Sequence, residues 1–128
     1  MNSRTKLARV LAVDDHAASR ASIRQVVDAT AGLELIAEAT SGEAAVAATV
    51  DLQPDLVLMD VRMPGIGGIE ASRRIKVHRP STIVILVSST HPDEFPCARD
   101  CRADSIVWKI RLRPALLAEI WSRHGQGG

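Results

Sequence analysis

The sequence has no excess of charge of either sign. Sixteen lysines and arginines stand against 15 aspartates and glutamates, a net charge of +1. The basic residues are scattered among acids, so nothing recommends direct contact with nucleic acid or a membrane surface. No apolar stretch approaches the roughly 18 residues of a membrane span. Met1 to Val10 carries basic side chains but neither the apolar core nor the small-residue cleavage site of a secretory signal. A cytoplasmic location is expected. Cysteine is scarce: Cys97 and Cys101 lie four apart in a stretch that reads as helix. That spacing is poor disulfide geometry and two cysteines are too few for a framework, so reduced structural thiols are expected rather than a redox or metal pair. Internal repeats, low-complexity segments and linkers are also missing, so a single domain is expected over 1–128, with 1–6 and 125–128 as flexible ends.

What is present is the composition of a globular domain, 46% apolar and 24% charged, long enough for a core without staples. Short apolar runs alternate with stretches of helical spacing. Leu7 to Val13, Leu33 to Ala39, Leu56 to Met59, Thr82 to Val87 and Ser105 to Trp108 read as strands. The second alternates apolar with polar and belongs near an edge; the third is apolar throughout, as a strand buried on both faces must be. Helices are expected from Ala17 to Ala29, from the N-cap Ser41 to about Asp51, from Gly67-Gly68 to His78, from Pro92 to Cys101, and from Pro114 onward. Five βα units with short connections predict an α/β fold, a doubly wound five-stranded parallel sheet with helices on both faces.

The ends of these strands carry the chemistry. Asp14 and Asp15 follow the first, Asp60 the third, Ser88 the fourth and Lys109 the fifth. In such a sheet these ends share one edge, where ligands bind. Three carboxylates there repel, two unit charges ~4 Å apart costing ~4 kcal/mol at an effective dielectric of 20. A proton or a cation must compensate, and an all-oxygen donor set favours Mg²⁺. Lys109 and the Ser88 hydroxyl suit a phosphoryl group. The set reads as a carboxylate that accepts a phosphoryl group.

Val13-Asp14-Asp15, Leu58-Met59-Asp60-Val61-Arg62-Met63-Pro64-Gly65, Gly68, Ser88 and Lys109 occur in the order of a receiver domain of two-component response regulators, and the chain resembles that family from Leu7 to Trp121. The resemblance implies a flavodoxin-like fold with strand order 2-1-3-4-5. It implies that Asp60 is the phosphoacceptor, that Asp14 and Asp15 hold Mg²⁺ with Asp15 as direct ligand, and that the main-chain carbonyl of Arg62 completes the metal site. Ser88 corresponds to the switch hydroxyl, with Ser89 as fallback, and Lys109 to the lysine that pairs with the phosphoryl group. Arg62 and Thr90 stand where residues tune phosphoryl lifetime. The donor would be a sensor histidine kinase or a histidine phosphotransfer protein. The output would run through the fourth helix, fifth strand and fifth helix to a downstream protein target or a homodimer, with no enzymatic activity beyond the protein's own phosphorylation and dephosphorylation.

Several residues depart from the family pattern. Gly67 stands where an Asp or Asn commonly precedes the helix, predicting a weaker cap and a looser loop. Ile106 occupies a position where an aromatic switch residue is frequent; the chain has no tyrosine, which excludes a tyrosine rotamer switch there. Trp108, beside Lys109, shares a strand face with Ile106 and offers an apolar body for the output surface. Two variants of the main reading are a receiver half of a longer DNA-binding regulator and a degenerate receiver that signals without phosphate. Other classes fit less well. A flavodoxin-like cofactor binder would be repelled by Asp14-Asp15-His16 in the first turn, and an aspartyl-phosphate hydrolase would need an acid where Arg62 stands. For Asp60 and for Asp14-Asp15 the bland reading is capping. His16 could border the site, and the basic run Arg73 to Arg79 reads as a solvated helix face.

Overall fold

The computed structural model describes residues 6–91 and 101–124. Among the described residues, five strands and four helices follow one another as β1 (Ala8–Val13), α1 (Ala17–Asp28), β2 (Leu33–Ala39), α2 (Gly42–Leu52), β3 (Leu56–Asp60), α3 (Gly67–His78), β4 (Ile83–Ser88), β5 (Ser105–Trp108) and α4 (Pro114–His124). All strand pairs are parallel, in the order β2-β1-β3-β4-β5. The alternating β2 is an edge strand and the all-apolar β3 is central, as their sequences require. Every residue of β3 is buried, because alternate side chains feed two cores. Leu56 and Leu58 join Ile23 and Val27 of α1 and Leu117 and Ile120 of α4 on one face. Val57 and Met59 join Ala45 of α2 and Ala71 and Ile75 of α3 on the other. Among the described residues no helix is long and apolar enough to cross a membrane.

Local signals act as read. Ser41 caps α2 by accepting the Ala44 amide at 3.0 Å, and Pro114 opens α4. The expected helix over 92–100 lies outside the described residues, as do Cys97 and, Lys6 aside, both expected flexible ends. Cys101 is described. It is a buried bend rather than a helical residue, and its carbonyl accepts the buried Ser72 hydroxyl at 2.7 Å. The basic run on α3 is largely engaged within the molecule. Arg74 pairs with Glu70 at 3.0 Å, and Lys76 donates to the carbonyls of Pro80 and Thr82 and to Asp104 at 2.9 Å, tying α3 to the starts of β4 and β5.

Candidate functional site

Register brings the strand ends level. Val13 lies opposite Met59, Asp60 opposite Val87, and Ser88 opposite Trp108. Asp14, Asp60, Ser88 and Lys109 therefore leave the sheet at one edge. A single 3-10 turn over Lys109–Arg111, which the sequence pattern does not announce, follows β5 and precedes α4.

Asp14 is fully buried. Its Oδ1 accepts the His16 amide at 2.9 Å, and its Oδ2 accepts Lys109 Nζ at 3.3 Å. Its carbonyl accepts Arg20, which also donates to Glu38, so an α1–β2 ion pair holds the loop from outside. Burial pushes the Asp14 carboxyl up, but hydrogen bonds from Ser19 and the His16 amide, with the charge of Lys109, outweigh it and hold it below its ordinary value. Asp14 thus holds the turn that leads into α1 rather than capping the helix, whose N-cap is His16 with no side-chain cap.

Asp60 ends β3 nearly buried, with Lys109 Nζ 3.8 Å from its Oδ1. Burial, then the neighbouring charge of Asp14, push its carboxyl up to about 6; Lys109 opposes the rise and Asp15 adds to it. At neutral pH such a group is mostly ionised yet more basic than an ordinary carboxylate, as a nucleophile should be.

Asp15 is partly exposed. Its Oδ1 is buried and, among the described residues, without a hydrogen bond; the Nδ1 of His16, a side chain 76% exposed, lies 3.2 Å away. Donor atoms of Asp14, Asp15 and His16 fall within 4.8 Å of one another. An orphaned buried carboxylate oxygen in an anionic cluster fits a hard divalent cation.

Ser88 is buried and its hydroxyl is engaged locally, donating to the Thr90 carbonyl at 2.5 Å and accepting the Thr90 amide at 3.0 Å. Ser88 and Thr90 are thus one turn. Arg62 is exposed, two residues beyond Asp60 in the β3–α3 loop. Ile106 packs partly buried on the α2–α3 side, and Trp108 is half-buried, its ring edge-on to His91 at 5.0 Å and 5.9 Å from the Arg111 guanidinium.

Gly67 does leave α3 without a side-chain cap, as expected. The loop is nevertheless held: Glu43 of α2 accepts the Ile66 amide at 3.3 Å, and its carboxylate fills the space where Gly65 has no side chain. Ser19 makes a contact that no sequence feature announces. It lies part-exposed on α1, away from the core, and its hydroxyl accepts a hydrogen bond from Lys109. No local pattern marks either residue, because each acts on a chain segment remote in sequence.

A family model for the response regulator receiver domain matches residues 10–120. Response regulator GacA of Pseudomonas viridiflava is 42% identical over 90 residues, 70% of this chain and 42% of that protein. The chain spans less than half the length of the GacA and VraR proteins it matches. The response regulator domain of Thermotoga maritima CheB superposes with a TM-score of 0.83 at 27% identity, over 96% of this chain and 99% of that one. A chain of the CheX–CheY–BeF3–Mg²⁺ complex from Borrelia burgdorferi gives a TM-score of 0.79 at 26% identity, over 91% and 88%.

Proposed function

Because the chain belongs to the response regulator receiver domain family, we propose that it is a phosphoacceptor module in which Asp60 takes a phosphoryl group from the phosphohistidine of a sensor histidine kinase or a histidine phosphotransfer protein. One observation carries this reading. Asp60 is an ionisable, buried carboxylate of raised basicity at a strand end, with a lysine ammonium 3.8 Å away that also binds Asp14. An Asp60 oxygen forms the new O–P bond as the P–N bond to the donor histidine breaks; the bonding pair stays on the imidazole nitrogen, which takes a proton from solvent. Lys109 offsets the added negative charge.

Asp14, Asp15, Asp60 and the Arg62 carbonyl are the groups that would hold Mg²⁺, which when bound neutralises charge on the transferring phosphoryl oxygens. The orphaned Asp15 oxygen and the likeness to a chain solved with BeF3 and Mg²⁺ support that choice of ion. Ser88 would give up its turn with Thr90 to donate to the phosphoryl group, so Thr90 and Arg62 set how readily it forms and decays. The chemistry is confined to the protein's own phosphorylation and dephosphorylation. A cytoplasmic setting agrees with a partner that carries a phosphohistidine.

The output would leave through β5 and α4. A cavity of about 380 Å³ there is lined by Ile106, Trp108, Arg111, Leu116 and Ile120 among others, an apolar floor with a basic rim that suits a downstream protein or a second copy of this chain. The short span against its relatives supports a second reading, a receiver half of a longer regulator with its own DNA-binding part.

Intact-mass measurement after incubation with Mg²⁺ and a small acyl phosphate tests the main reading. One added phosphoryl group that disappears in Asp60→Asn is expected. No addition to the wild type would leave a receiver that signals without phosphate.

A further inference from the structure

The Lys109 ammonium lies between two carboxylates at this edge, 3.3 Å from Asp14 Oδ2 and 3.8 Å from Asp60 Oδ1. What holds it is a hydroxyl that none of the roles above uses. Ser19, in the first turn of α1, accepts a hydrogen bond from Lys109 Nζ. Lys109 also donates to Asp14 Oδ2 at 3.3 Å. Asp60 Oδ1, at 3.8 Å, lies outside hydrogen-bond reach. The ammonium has three N–H bonds; Ser19 and Asp14 take two, and one remains.

We propose that Ser19 is a positioning residue for Lys109, holding the ammonium against Asp14 and off the Asp60 carboxylate so that one N–H is kept for a phosphoryl oxygen on Asp60. This rests on the phosphoacceptor reading of Asp60. The consequence is a nucleophile left unencumbered. A direct Lys109–Asp60 hydrogen bond would occupy an Asp60 lone pair and make the carboxylate a weaker base. Holding the lysine a short step away keeps its charge for the product rather than the reactant, which is how an electrostatic group accelerates a step. Ser19 is half-exposed on a helix whose apolar contacts are made by Ile23 and Val27, so its loss leaves the core untouched.

The test uses Ser19→Ala and Ser19→Thr in the full chain, each first shown to melt as the wild type does. Phosphoryl uptake from a small acyl phosphate with Mg²⁺ is followed by intact mass. Uptake is expected to slow roughly tenfold in Ser19→Ala, the scale of one lost hydrogen bond to a charge, and to stay within about twofold in Ser19→Thr, which keeps the hydroxyl. In parallel, the side-chain ammonium of Lys109 is observed by NMR in protein labelled with ¹⁵N-lysine. Its held signal is expected to shift or exchange away in Ser19→Ala and return in Ser19→Thr. An unchanged Lys109 signal in Ser19→Ala overturns the assignment whatever the uptake rates. Equal slowing in both variants, with Lys109 unmoved in Ser19→Thr, also overturns it, since packing and not the hydroxyl would then matter. Failure of the wild type to take up phosphoryl falls on the Asp60 reading instead, and the NMR arm still decides the place of Ser19.

Discussion

A methyl group added to Gly68 would fall 2.1 Å from the carbonyl oxygen of Asp60. The next contacts, Val61 Cα at 3.0 Å and Asp60 C at 3.1 Å, are also backbone, so no side chain can swing aside to make room. The Gly68 amide donates to the Val61 carbonyl at 3.0 Å, docking the start of α3 on the end of β3. Gly68→Ala must therefore push α3 away from the strand that carries Asp60. The expected loss is roughly 2–3 kcal/mol in urea unfolding, with slower phosphoryl uptake by the folded fraction. An unchanged midpoint would mean that the helix end is free to move.

The raised carboxyl of Asp60 makes a signed prediction about stability. Its folded value, about 6, lies above its ordinary 3.8, so the folded state binds more protons between those values. Stability contributed by protonated Asp60 is present below about pH 4 and is lost as pH rises through 6. By neutral pH the loss approaches about 3 kcal/mol. Without divalent cations, Asp60→Asn should be more stable than the wild type at pH 7, and the two should converge near pH 4. Asp14, held low, acts in the opposite sense but only at more acid pH, and it is common to both proteins. A constant difference across that window would reject the shift.

A cation bound by Asp15 and Asp60 should cancel that cost. Mg²⁺ at a hundred times its dissociation constant adds about 2.7 kcal/mol to the folded state. The melting temperature at pH 7.5 should rise with Mg²⁺ and saturate, and the rise should shrink at pH 5, where Asp60 holds a proton. Asp15→Asn should remove most of the response without removing the fold, because Asp15 Oδ1 makes no hydrogen bond among the described residues. A full response in Asp15→Asn would place the ion elsewhere.

How far the sequence foretells this arrangement depends on the distance over which each signal acts. The all-apolar β3, the cap at Ser41 and the start at Pro114 are local patterns, and each element forms where its pattern lies. The meeting of Asp14, Asp60 and Lys109 is legible one level up, since parallel strands must deliver their ends to one edge. Ser19 and Glu43 are not legible in that way. Each lies on a helix surface and acts through a hydrogen bond to a segment 90 and 23 residues away. Such a contact depends on how a helix is rotated against the sheet, which helical spacing fixes only to a broad face. The Ser88–Thr90 turn is a rotamer choice, and composition says nothing about rotamers. The loop beyond β3 shows the same limit: Gly67 predicts looseness, while Glu43 supplies the missing restraint from another helix.

That restraint is itself testable. Glu43→Ala removes the acceptor for the Ile66 amide and empties the space beside Gly65, whose φ of +84° favours glycine there. The contact is exposed, so the cost should be modest, about 0.5–1.5 kcal/mol. The clearer reading is local. Amide exchange at Ile66 should quicken in Glu43→Ala while the amides of β3 keep their protection. Equal protection at Ile66 in both proteins would show that Glu43 is a bystander.

Trp108 should report whether the phosphoryl site speaks to the β5 surface. Its register partner is Ser88 and its chain neighbour is Lys109, so two groups that would move on phosphorylation flank the indole. The ring is half-buried, edge-on to His91 and near the Arg111 guanidinium, and its emission should depend on both contacts. Trp121 packs on the opposite face of the sheet beside α1 and would confuse the signal, so the measurement uses a Trp121→Phe background. Adding beryllium fluoride with Mg²⁺ should change the intensity or wavelength of Trp108 emission in that background. The change should vanish in Asp60→Asn, and Ser88→Ala should blunt it without preventing the mimic from binding. If emission stays constant while the mimic demonstrably binds, Trp108 is a fixed part of the domain and the output must leave by another face.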